Sequence, residues 1–112
     1  MSKNQRTVFI IDDCSEDREI YEYYLRCDKN YTYNILHAGN GEEALRVCAE
    51  ELPDVVLLDI VLQNVDGLEV LKQLRSSFNR SYLPIIVLVG QRDEEVAIAA
   101  MKSGAAEYLV KN

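Results

Sequence analysis

Histidine and cysteine are scarce in this chain. His37 is the single histidine, and the three cysteines, Cys14, Cys27 and Cys48, are odd in number and widely spaced. They form no C-x-x-C pair, so neither a zinc site nor a disulfide framework is expected. The thiols read instead as reduced, small apolar side chains. Long apolar runs are missing as well: none approaches the roughly 20 residues that a membrane-spanning helix needs. Basic residues are outnumbered, 12 Lys and Arg against 19 Asp and Glu, for a net charge of -7. Phosphate backbones and anionic lipid repel such a chain, which argues against direct nucleic-acid or membrane binding. There is no internal repeat, low-complexity tract or linker. The opening residues lead straight into a strand-like segment, so no signal peptide is expected and the cytoplasm is the expected compartment. The 112 residues, 48% of them apolar, suit a single domain over 1–112 with one core.

What is present is an alternation of apolar runs and helical patterns. Thr7–Ile11, Asp54–Asp59 and Pro84–Val89 are short runs, rich in β-branched residues, of the kind that forms strands buried on both faces. Tyr33–His37 and Glu107–Val110 are weaker candidates. Four helices are expected between them. The first starts at Ser15 or Asp17 and places Ile20, Tyr24 and Cys27 on one face. Asn40 caps the second, with Glu42 and Glu43 in its first turn and Ala44, Leu45 and Cys48 as its apolar stripe. The third begins near Gly67 and turns Leu68, Leu71 and Leu74 inward. The fourth opens at Asp93–Glu95, buries Val96 and Ala100, and stops at Gly104. Strand–helix repeated four times, then a last strand, implies an α/β fold: a parallel sheet with helices on both faces.

In such a sheet, ligands bind beyond the carboxyl ends of the strands. The residues ending the apolar runs therefore share one rim: Asp12, Asp13, Asp59, Val89 and, after the last strand, Lys111. Singly, each has a plain explanation. An acid after a strand is a common turn or cap residue, and a terminal lysine is ordinary surface charge. Together, at the ends of separate strands, they argue for a site. Crowded carboxylates repel one another. Magnesium offsets this well, because it takes one or two carboxylates and keeps waters that a phosphate can replace. A lysine can neutralise a phosphoryl oxygen as a point charge, and a carboxylate attacking phosphorus gives an acyl phosphate.

Ile11-Asp12-Asp13, Leu58-Asp59, Asp66-Gly67 and Gly104–Lys111 resemble the signature of response-regulator receiver domains, over nearly the whole chain. The resemblance implies a flavodoxin-like doubly wound sheet of five parallel strands in the order 2-1-3-4-5. It implies phosphorylation of Asp59 with Mg2+ as cofactor, in two-component phosphorelay signalling. Asp13 matches the direct magnesium ligand, and Asp12 the acid that reaches the metal through water. Val61 matches the position whose backbone carbonyl ligates the ion. Lys111 matches the phosphoryl-contacting lysine and Tyr108 the aromatic switch residue. The implied partners are a sensor histidine kinase or phosphotransfer protein, and an output domain or downstream protein.

The chain departs from the family's pattern in several places. Val89 stands where a Thr or Ser hydroxyl usually meets the phosphoryl group, and Gln63 and Asn112 replace prolines. Val61 and Gln91 fall where the family tunes hydrolysis, and an apolar residue at 61 suggests a long-lived phosphoryl state. A fifth helix normally follows the last strand. The sequence stops at Asn112, so it reads as a truncated chain that exposes apolar side chains on one sheet face, unless a partner or second copy covers them. The competing function is a pseudo-receiver, a protein-binding module without phosphorylation. A related magnesium-dependent phosphatase would need an acid at Val61. The tyrosines Tyr21, Tyr23 and Tyr24 are expected to be partly buried in the core.

Overall fold

The computed structural model describes residues 5–60, 66–78 and 83–111. β1 (Gln5–Ile11), β2 (Thr32–Ala38), β3 (Val55–Asp59), β4 (Ile85–Val89) and β5 (Glu107–Val110) alternate with α1 (Ser15–Arg26), α2 (Gly41–Glu51), α3 (Gly67–Ser77) and α4 (Glu94–Lys102). The strands form one parallel sheet in the order β2-β1-β3-β4-β5. This is the flavodoxin-like order, and it reverses direction between β1 and β3. No helix follows β5 among the described residues.

Strand pleating sends alternate side chains to opposite faces. Phe9, Ile11, Val56, Leu58, Ile85 and Val87 lie in the main core, which Val70, Leu71, Leu74, Ala97 and Ala100 close from α3 and α4. Each fully buried leucine, isoleucine or phenylalanine there contributes roughly 1.5–3 kcal/mol. The helix stops and starts follow local chemistry. The Asn40 side chain accepts from Glu43 N–H at 2.8 Å, and Asp66 caps α3 by accepting from Leu68 N–H at 2.9 Å. α2 has no glycine to end it. Leu52 takes the left-handed conformation instead (φ 48°), and Pro53 follows. At the end of α4, Gly104 (φ 110°) makes the turn into β5, and its carbonyl accepts from Arg75 Nε and Nη2 at 3.1 and 2.8 Å.

The α1 face corrects two expectations. No residue of α1 is fully buried. Ile20, Tyr23 and Tyr24 are exposed, the two tyrosines by about two-thirds (67% and 68%), and Cys27 is exposed too, so the stripe of Ile20, Tyr24 and Cys27 is not buried against the sheet. Tyr21 and Leu25 are half-buried, and together with the more exposed Tyr24 they line a groove of about 800 Å³ with Leu57, Leu88 and Leu109. The stripes 20/24/27 and 21/25/28 fit a 3.6-residue period equally well, so periodicity could not choose between them. β5 is exposed along its whole length, with Leu109 51% and Val110 52% accessible.

Candidate functional site

The parallel register brings the strand ends together. Asp59, the last residue of β3, lies opposite Leu88, and Val89 lies opposite Val110. Backbone bonds hold the rim beyond them: Asp12 N–H to Ala38 O (3.0 Å), Ile60 N–H to Leu88 O (3.1 Å) and Lys111 N–H to Val89 O (2.8 Å). Three side chains predicted for the site meet there. Asp12 and Asp59 are almost wholly buried, at 1% and 3% accessible. Lys111 reaches Asp59 from the last strand, Nζ to Oδ2 at 3.0 Å.

Among the described residues, Asp12, Asp17 and Asp59 each bring one carboxylate oxygen within 4.8 Å of the others. Asp13 is half-buried on the same rim but is not among these three. Val61 and Gln63 lie outside the described residues, as does Asn112. Val89 is buried, and it lines a groove between α4 and β5 together with Tyr108, Gln91 and Met101. Tyr108 itself is 42% exposed. Sequence reasoning missed Asp17. A usable signal was present, because side chains in a helix tilt toward its N-terminus. The third residue of a helix that leaves β1 is thus aimed back at the strand ends.

Asp12 carries the electrostatic strain of the site. Its Oδ1 accepts from Cys14 N–H at 2.9 Å, while Oδ2 is buried with no hydrogen-bond partner among the described residues. Burial pushes the Asp12 carboxyl up to about 6; the Cys14 N–H opposes this, and the neighbouring Asp59 and Asp17 carboxylates reinforce it. Two ionised carboxylates cannot bond each other, so Asp12 can meet Asp59 only by holding a proton, or through a cation between them. Burial works against the Lys111 ammonium, but the hydrogen bond and charge of Asp59 outweigh it and raise Lys111 above its ordinary value. An orphaned, buried carboxylate oxygen and an all-oxygen donor set fit a hard divalent cation such as Mg2+.

The raised Asp12 has a consequence for stability. Its folded value of about 6 exceeds the unfolded 3.8, so between these values the folded chain binds more protons. Stability is then greatest below the unfolded value and falls as pH rises through the folded one, by roughly 3 kcal/mol when complete. In EDTA, the wild type is expected to lose stability relative to Asp12→Asn between about pH 4 and pH 7. Thermal melts of both proteins across that range check this. Parallel curves would contradict it.

Residues 8–112 match the response regulator receiver domain. The chain belongs to the response-regulator receiver family. This receiver is 34% identical over 111 residues to the transcriptional regulatory protein ZraR of Klebsiella oxytoca, covering 99% of this chain and 24% of that protein. It is 36% identical over 104 residues to the response regulator MprA of Mycolicibacterium vanbaalenii, covering 93% of this chain and 43% of that protein. The chain thus spans less than half the length of these curated relatives. Among solved structures, a response regulator receiver domain protein from Clostridium thermocellum superposes with a TM-score of 0.82 at 30% identity, covering 95% of this chain and 82% of the other. The Francisella response regulator 1452 receiver domain gives 0.80 at 27%, covering 95% and 84%. The receiver carries its acids at the β1/β3 switch point, where ligands of doubly wound sheets bind. No helix among the described residues is long and apolar enough to cross a membrane.

Proposed function

We propose that this receiver is a phosphoacceptor in two-component phosphorelay signalling, phosphorylated on Asp59 in the presence of Mg2+. The observation that carries this reading is the buried Asp59 at the end of β3, beside buried Asp12 and 3.0 Å from the Lys111 ammonium. An Asp59 oxygen attacks phosphorus and forms an O–P bond. The P–N bond of a phosphohistidine donor breaks, and its electron pair leaves with the imidazole. Lys111 gives up its contact with Asp59 Oδ2 to meet an incoming phosphoryl oxygen. Asp12, Asp13 and the Val61 carbonyl would hold the ion together with Asp59. The ion supplies charge neutralisation, which phosphoryl transfer chiefly needs. The donor is a sensor histidine kinase or phosphotransfer protein, the reader an output domain or downstream protein, and the compartment the cytoplasm. Phosphorylation by acetyl phosphate, followed by intact mass, tests the reading.

Val89 favours a second reading, the pseudo-receiver that binds partners without phosphorylation. Valine nearly matches threonine in shape but has no hydroxyl to donate. If phosphorylation occurs, its coupling to Tyr108 is weakened by the missing bond, worth roughly 1.5–3 kcal/mol for a charged acceptor. Val89→Thr is therefore expected to enlarge the response of the Tyr108 ring to phosphorylation, read by NMR, and to change the lifetime of the phosphoryl state. An unchanged response and lifetime would remove Val89 from the account.

A further inference from the structure

We infer that Asp17 is an additional member of the divalent-cation pocket, so that this chain holds the ion with a carboxylate from the first turn of α1 as well as those of the strand ends. The inference rests on the phosphoacceptor reading for the presence of a cation and goes beyond it in the residue assigned.

Two independent observations carry it. The first is placement. One oxygen each from Asp12, Asp17 and Asp59 lies within 4.8 Å of the others, a spacing that a single cation can bridge. Asp17 is half-buried in the first turn of α1. Glu16, its neighbour in the same turn, is exposed and is not part of the group. The second is the orphaned Asp12 Oδ2, buried with no hydrogen-bond partner among the described residues, in a side chain that is 1% accessible. Lys111 Nζ meets Asp59 Oδ2, and among the described residues no hydrogen bond or ion pair brings a cationic side chain to Asp12 or Asp17. A helix N-terminus favours acids through its partial positive charge. That explains an acid in this turn, but not one brought within 4.8 Å of two buried carboxylates, where repulsion must be offset.

A hard cation offsets it without asking Asp17 to bind directly. Mg2+ takes few carboxylates and keeps several waters. Asp17 can therefore accept from a coordinated water, while strand-end acids make the direct bonds. Partners of this kind change metal affinity by 10–100-fold when removed.

Calorimetric titration of MgCl2 into the wild type, Asp17→Asn and Glu16→Gln tests this. Salt of about 0.15 M screens charges farther apart than roughly 8 Å, so a distant charge effect is suppressed. Asp17→Asn and Glu16→Gln remove the same charge from the same turn. The expected result is a loss of Mg2+ affinity of about tenfold or more in Asp17→Asn, with less than about a twofold change in Glu16→Gln. Melting of both variants in EDTA verifies folding, and Asp17→Ser serves as a replacement if Asp17→Asn does not fold. Equal affinities in Asp17→Asn and Glu16→Gln, with Mg2+ binding intact in the wild type, would overturn the role of Asp17 alone. A folded wild type that binds no Mg2+ would overturn the cation reading and this inference together.

Discussion

Lys111→Ala is expected to slow phosphorylation of Asp59 by acetyl phosphate by roughly 10²–10³-fold. The lysine is set by the fold rather than by its own side chain. Its backbone N–H donates to Val89 O at 2.8 Å, which carries the β4–β5 pairing one residue past Val110 and points the ammonium across the rim at Asp59. Phosphoryl transfer spreads charge over the equatorial oxygens. An ammonium already positioned there needs no reorganisation when that charge develops. Time-resolved intact mass gives the rate. Lys111→Arg is expected to recover little of it, because a planar guanidinium cannot occupy the place of a compact point charge. A Lys111→Ala rate within about threefold of wild type would mean that Lys111 contributes no transition-state stabilisation.

Gly67→Ala is expected to destabilise the fold by about 3 kcal/mol or more. A Cβ on Gly67 would lie 2.6 Å from the Ile60 Cα and would overlap its carbonyl. The obstacle is backbone, so no rotamer change can relieve it. Relief requires the start of α3 to move away from the end of β3. α3 is anchored by Val70, Leu71 and Leu74, all fully buried, so the strain falls on Ile60 and hence on its neighbour Asp59. Chemical denaturation gives the stability loss, and the surviving folded fraction should also phosphorylate more slowly. A loss below about 0.5 kcal/mol would show that α3 shifts freely and that its start does not position Asp59.

Much of this arrangement was legible in the sequence, for identifiable reasons. Apolar runs ending in Asp12, Asp59 and Val89 mark strands, and parallel topology places their ends on one rim, so Asp12, Asp59 and Lys111 meet as expected. Asn40 acts as the expected cap through short-range chemistry that a sequence states directly. The face of α1 was not legible. Tyr21 and Tyr24 fit competing helical stripes; both line the groove beside Leu57 and Leu88, and that Tyr21 is the more buried of the two is a tertiary fact. Asp17 escapes sequence reasoning for a related reason. An acid in a first turn already has an ordinary explanation in the helix dipole, and only the positions of Asp12 and Asp59 give it another. The αL stop at Leu52 likewise carries no glycine or asparagine that would announce it.

The most direct test of the phosphoacceptor reading is the intact mass of the folded chain after incubation with Mg2+ and acetyl phosphate, with Asp59→Ala and an EDTA-treated sample as controls. The account predicts one phosphoryl adduct in the wild type, absent from both controls. A folded wild type without an adduct, or an adduct that survives in Asp59→Ala or in EDTA, would contradict it.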